Sequence, residues 1–262
     1  MNNFERYKEL SDNNPDVVVG FNKAIEKAFA QKDYKIIKYI LTSPELIKER
    51  KIYKEESIEY RRFSLEEFTL IFACDNNCKD MVEFIFTNKN VDKEFLYRSL
   101  NYGLTKAASK GALEVVQYLT TSYDLKNNAD INYVNSPLKE ACQHGNLNVV
   151  KFLLDSPLLE KKADLSSIEN IYDFSFLCRD FISENNSQHM PDNEKEKNDY
   201  LDRKMLVLKY LILEQNFKTN EDIEKFLQKP ENKIIKRIFD TRELQNELNE
   251  NLNKNVTKKP KI

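Results

Sequence analysis

The strongest constraint in this sequence is a segment that recurs every 34 residues. Residues 104–119 read LTKAASKGALEVVQYL, and residues 138–153 read LKEACQHGNLNVVKFL, so that Gly111 and Gly145 fall in register. A third copy, LIFACDNNCKDMVEFI at residues 70–85, places Asn77 at the glycine position. Three units in one register predict a repeat protein, in which each unit packs mainly against its neighbours.

Fainter copies lie on both sides of these three units. Residues 24–41 follow the same scheme, with about eleven extra residues before the next unit. Downstream, residues 207–211 copy the second half of a unit whose first helix we expect at 174–183, and residues 223–239 form a last copy. The sequence therefore predicts five to six units.

Each unit has the pattern of a helix pair. The first segment carries adjacent small residues, such as Ala107 and Ala108, which allow neighbouring helices to approach closely. The glycine or asparagine that follows tolerates a left-handed turn. The second segment has apolar residues at helical spacing, so one face is buried when units stack. We expect an all-α solenoid of helix pairs.

The pattern resembles the ankyrin repeat family. Residues 136–138 (Ser-Pro-Leu) resemble the Thr-Pro-Leu that opens the family's first helix, where serine can cap and proline can start the helix. Residues 141–150 resemble the family core, and residues 128–132 (NADIN) resemble the segment that leads into its β-hairpin. The resemblance covers roughly residues 20–240 and implies an ankyrin-type solenoid.

The sequence also departs from the family pattern. Lys139 stands where the family usually has a histidine, and the stretch between Asp130 and Ser136 is about four residues shorter than the family's hairpin. Residues 123–127 add about five residues after the second helix. These differences predict short or missing β-hairpins between the helix pairs.

The repeat pattern divides the chain into three predicted regions. Residues 1–19 form an N-terminal leader or cap, and residues 20–240 form the solenoid, interrupted by a polar insertion near 184–204 that we expect to be a solvated loop. Residues 241–262 form a charged C-terminal tail, in which residues 257–261 (TKKPK) resemble a short nuclear-import signal.

Composition excludes several classes of function. The four glycines are scattered, whereas phosphate-binding loops need them clustered. Two histidines and four cysteines without a CxxC pair predict no metal site, and we expect no cofactor. Lys+Arg 41 against Asp+Glu 43 gives a net charge of −2, which argues against nucleic acid as a partner. Without a secretory signal or an apolar stretch of membrane-spanning length, we expect a cytoplasmic protein, with entry to the nucleus if the cell has one.

The cysteines have a packing explanation. Cys74 and Cys142 occupy the repeat position of Ala108, which predicts small core side chains, and Cys178 falls near the same position in the fifth unit. Cys78 aligns with turn residues, so we expect it to be half-exposed.

The family resemblance also implies where a partner binds. Ankyrin repeats contact partners through the ends of their first helices and the following turns, which form an inner lip. In this chain the lip residues are Gln31, Asp75, Asn76, Ser109, Lys110, Gln143 and His144. Tyr133, in the shortened hairpin, is either an aromatic anchor for a partner or a core residue.

The predicted function is a non-catalytic, monomeric scaffold that binds another protein through the concave face and loops. One alternative is a microbial effector or a regulatory subunit that acts on a host or enzyme partner, with the 184–204 insertion as its functional site. Another is a structural solenoid that tethers itself to its own copies.

Overall fold

A computed structural model describes most of the chain. The described residues are 2–59, 63–93, 96–125, 128–132, 137–168, 174–175, 177–178, 181, 191, 193–215, 217 and 221–241. Among them no residue lies in a strand, and the elements are helices joined by turns. The prediction of an all-α, ankyrin-type solenoid is confirmed.

The helices alternate along the chain in pairs. They are α1 (Asn3–Leu10), α2 (Val17–Ala30), α3 (Tyr34–Thr42), α4 (Ile47–Glu59), α5 (Leu65–Asp75), α6 (Lys79–Thr87), α7 (Leu96–Ser109), α8 (Leu113–Thr121), α9 (Pro137–Gln143), α10 (Leu147–Asp155), α11 (Glu194–Lys209) and α12 (Glu221–Leu227), followed by helical residues 233–241. A short π-helix, Tyr210–Glu214, continues α11.

Four complete pairs form the centre of the described structure: α2/α3, α5/α6, α7/α8 and α9/α10. The first helices α2, α5, α7 and α9 form one layer, and the second helices form the other. The first helices contact one another more extensively than the second helices do. By the family resemblance, this first-helix layer is the concave face.

A left-handed residue ends the first helix of every complete pair. Its φ is 56° at Lys32, 51° at Asn77, 69° at Gly111 and 72° at Gly145. In each case the next N–H donates to the carbonyl of the alanine five residues earlier, which closes a Schellman turn. The four bonds are Asp33 to Ala28 (2.8 Å), Cys78 to Ala73 (2.9 Å), Ala112 to Ala107 (2.9 Å) and Asn146 to Ala141 (2.8 Å).

Small residues let the first helices approach closely, as the sequence predicts. Ala73, Ala107 and Ala141 are fully buried. A Cβ atom on Gly103 of α7 would lie 3.1 Å from the Cys74 Sγ of α5, tighter than ordinary van der Waals contact. The sulfur of α5 therefore fills the space left by that glycine.

Helical segments extend the units near the places where a hairpin would lie. The extra residues of the first unit form a short 3-10 turn and then α4, whose buried Tyr53 ring packs edge-on against Phe21 of α2 at 5.9 Å. Helix α7 begins seven residues before the position equivalent to Pro137. On that extension the Ser99 hydroxyl donates to the buried Glu67 carboxylate of α5 (2.6 Å). The Ser99–Glu67 bond joins neighbouring units without β-structure, and the Tyr53 contact packs α4 onto its own unit.

The prediction of a solvated loop at 184–204 is wrong for residues 194–204. These residues form the first turns of α11, where the Asn193 side chain accepts the N–H groups of Lys195 and Glu196. Tyr200 and Lys204 are buried, at 6% and 1% exposure, because this part of α11 packs against α9 and α10. Residues 184–190 and 192 lie outside the described residues.

Candidate functional site

The predicted lip residues occupy equivalent places in successive units. Asp75, Ser109 and Gln143 are the last residues of α5, α7 and α9, and Asn76, Lys110 and His144 follow them. Gln31 follows the last residue of α2. The Lys110 Nζ lies 3.5 Å from an Asp75 carboxylate oxygen, so the lips of two units are in contact. Tyr133 lies outside the described residues.

Most lip side chains already have contacts within the chain. Arg6 of α1 donates to the Gln31 side chain, which holds the N-terminal helix against this end of the lip. The Asn76 amide donates to the Phe72 carbonyl (2.9 Å), and the Ser109 hydroxyl donates to the Lys106 carbonyl (2.8 Å). These bonds orient the lip and leave its outer surface exposed or half-exposed.

At the other end, α11 lies beside the lip. The Tyr200 hydroxyl is 3.4 Å from the Gln143 carbonyl oxygen, to which it donates. The half-exposed His144 ring has its Nδ1 3.0 Å from the Glu140 carbonyl oxygen and 3.8 Å from the Glu140 carboxylate. The residues predicted to form a free insertion therefore flank the lip instead.

The concave face also carries aromatic side chains that the sequence reasoning missed. Phe68 and Phe72 of α5 share repeat positions with Tyr102 and Lys106 of α7, and all four are half-exposed. The two phenylalanine rings lie 4.8 Å apart. The exposed Phe63 stacks on Tyr102 with ring centroids 6.0 Å apart. We call Phe63, Phe68, Phe72 and Tyr102 the aromatic cluster. Its sequence signal is the four-residue spacing of two phenylalanines on a first helix.

The cysteines are structural, with one correction. Cys74, Cys142 and Cys178 are buried as predicted, and burial raises the pKa of each thiol. Cys78 is buried rather than half-exposed, at 8% exposure. It precedes the first residue of α6 and contacts the Tyr34 side chain of the preceding unit. The raised pKa makes the thiols of Cys74, Cys142 and Cys178 poor nucleophiles, which fits a packing role for these three.

The described residues offer little for metal chemistry or membrane insertion. Within those ranges, no group of three histidine, cysteine or acidic side chains could hold a metal ion. None of the helices that can be described is long and apolar enough to cross a membrane.

The family comparison agrees with the geometry. Residues 70–166 match the family model for ankyrin repeats in three copies. Residues 70–166 therefore form ankyrin repeats. The matched segment contains two complete helix pairs, α7/α8 and α9/α10, and most of a third, α5/α6. The Schellman turn at Lys32 extends the same geometry to the pair before them. No curated protein and no solved structure gives a significant match.

Proposed function

We propose that this ankyrin repeat protein is a non-catalytic adaptor that binds another protein through its concave face and lip. Ankyrin repeats are generally protein–protein interaction modules. The proposal rests mainly on the aromatic cluster, whose exposed or half-exposed rings lie on the first helices α5 and α7 or, for Phe63, just before α5. Aromatic side chains dominate binding energy at protein interfaces because they supply a large contact area at a small entropic cost.

The lip complements the cluster with polar groups. Lys110, Gln143 and His144 lie at the ends of adjacent first helices, next to the same face. A hydrophobic centre with a polar rim is the usual anatomy of a protein interface. A partner that covers the cluster would also reach these side chains.

Affinity capture from lysate with three forms of the full chain tests the proposal. The first is wild type, and the second carries Lys110→Ala, Gln143→Ala and His144→Ala. The third is a matched control with three exposed second-helix residues replaced by alanine, namely Glu83, Glu114 and Asn148. We expect the lip variant alone to lose a protein that wild type retains.

Circular dichroism must show equal helicity in all three forms. The Lys110–Asp75 pair is exposed, so its loss should cost little stability. Equal capture by wild type and the lip variant, or equal loss in the control, would contradict binding at this face.

A further inference from the structure

We propose that the concave face binds a linear acidic segment, with a partner carboxylate on Lys106 and an adjacent apolar side chain on the aromatic cluster. This inference rests on the proposed function and specifies the chemistry of the partner. It follows from three features: an unneutralised cation, its aromatic surroundings and the order of charges across successive units.

Lys106 is the central cation of this face. Its ammonium lies over the Tyr102 ring, 5.5 Å from the centroid. Among the described residues, no carboxylate comes within 4.0 Å of it, whereas Lys110 is paired with Asp75 and Lys27 with Asp12. A cation that the chain itself does not neutralise is available to a carboxylate from outside.

The surroundings of Lys106 suit a mixed apolar and acidic ligand. Phe63 is 44% exposed and stacks on the same Tyr102 ring that Lys106 covers. Helix α5 packs on α7, so Phe68 and Phe72 lie on the helix next to the one that carries Tyr102 and Lys106. A ligand that buries an apolar side chain here also excludes water near Lys106, and this strengthens the attraction between the ammonium and a carboxylate.

The order of charges fixes where the acid binds. At the position equivalent to Lys106, α5 has Phe72 and α9 has Glu140. A segment that crosses these units therefore meets an aromatic ring, then a cation, then an anion. The Glu140 carboxylate disfavours an acid at α9 and favours a basic residue there.

Helix spacing converts this order into a sequence pattern. Packed helices lie about 8–10 Å apart, and an extended chain rises about 3.3 Å per residue. Neighbouring units are therefore about three residues apart along an extended ligand. The expected motif is an apolar residue, an acidic residue about three positions away and a basic residue about three positions beyond it, in either chain direction.

Selection of random twelve-residue peptides displayed on phage, with the full chain as bait, tests the motif. We expect enrichment of an acidic residue about three positions from an aromatic or aliphatic one. Lys106→Glu should weaken binding of a selected peptide by about tenfold, and a second selection on that variant should replace the acid by lysine or arginine. Lys106→Arg should preserve binding.

A matched control uses another lysine that lies over a ring. The exposed Lys151 is 4.9 Å from the centroid of Tyr210, on the layer of second helices. Lys151→Glu changes the net charge as Lys106→Glu does, so it controls for long-range electrostatics. We expect it to leave peptide affinity unchanged.

The possible outcomes separate this inference from the proposed function. Peptides without the acid, binding insensitive to Lys106→Glu, or no enriched peptide at all would overturn the acidic segment as ligand. The capture experiment would still decide whether the face binds a protein. Tighter binding of a labelled twelve-nucleotide oligothymidine than of selected peptides would assign the face to single-stranded nucleic acid and also overturn the inference.

Discussion

Replacing Gly145 with alanine should destabilise the solenoid and loosen α11 together. Gly145 has a φ of 72°, and an alanine Cβ there would lie 3.0 Å from the Lys204 backbone nitrogen and 3.1 Å from the Arg203 carbonyl carbon. Both contacts are with the backbone of α11, so no side-chain rotation relieves them. The substitution therefore strains the turn and pushes against the neighbouring helix.

The magnitude follows from two contributions. A left-handed conformation costs a residue with a Cβ about 1–2 kcal/mol, and overpacking of a tight contact costs about 1–3 kcal/mol. Together they predict a loss of about 2–5 kcal/mol in the free energy of unfolding. The φ of 51° at Asn77 shows that the turn itself can form without glycine, so a loss near the upper limit would indicate the α11 contact.

Urea unfolding followed by far-UV circular dichroism measures the free energy, and hydrogen exchange with mass spectrometry locates the effect. Gly20→Ala is the matched control. Gly20 lies in α2 without a left-handed φ, and the nearest atoms to its added Cβ are 3.6 Å away. This control should be neutral or stabilising by up to about 1 kcal/mol because alanine favours a helix.

Faster exchange should appear in Glu194–Lys209 for Gly145→Ala and not for Gly20→Ala. A loss below about 1 kcal/mol with unchanged exchange in α11 would contradict this prediction. The close approach of α11 to the turn would then not contribute to stability.

Three further predictions test local interactions. Lys32→Gly should raise the unfolding free energy by about 1 kcal/mol in urea titrations, because glycine removes the strain of its left-handed turn. Asn146→Ala should lower it by about 1–3 kcal/mol, because the Asn146 amide donates to two carbonyls of the preceding unit at 2.8 Å, whereas the exposed Asn148→Ala should change little. Burial, with a smaller effect of Asp92, raises the pKa of Glu66. The folded state therefore binds the proton of the Glu66 carboxyl group more tightly than the unfolded state does. As the pH rises above about 4.3, Glu66 loses this proton and the free energy of unfolding falls. Glu66→Gln should thus stabilise the chain at pH 7 but not at pH 4, as thermal melts at both pH values would show.

The 34-residue period predicts the core of the fold because it fixes which residues are equivalent. Once Gly111 and Gly145 are in register, Asn77 must take the same turn, and its φ of 51° confirms this. The small residues before each turn must likewise face the neighbouring first helix, as buried Cys74 and Cys142 do. Equivalence carries no information about segments that occur only once.

Those single segments are where prediction failed. The sequence of α4 has no continuous apolar face, and its buried Tyr53 contacts Phe21 of α2, which is distant in the sequence. The N-terminal half of α11 is similarly polar, although Asn193 before a glutamate-rich turn is a capping signal that predicts a helix start. Cys78 contacts Tyr34 of the preceding unit, and the position of Cys78 in a turn does not reveal this contact.

The same non-repeated helix limits the surface available to a partner. Tyr200 of α11 donates to the Gln143 carbonyl, and the following residues of α11 contact Gly145. Helix α11 therefore covers one side of the lip at the end of α9. The surfaces of α5 and α7, in contrast, carry the aromatic cluster and Lys106 and remain accessible. Because Gly145 both packs α11 and directly follows His144, Gly145→Ala should weaken partner capture as well as stability. A binding loss without the stability loss would separate these two roles.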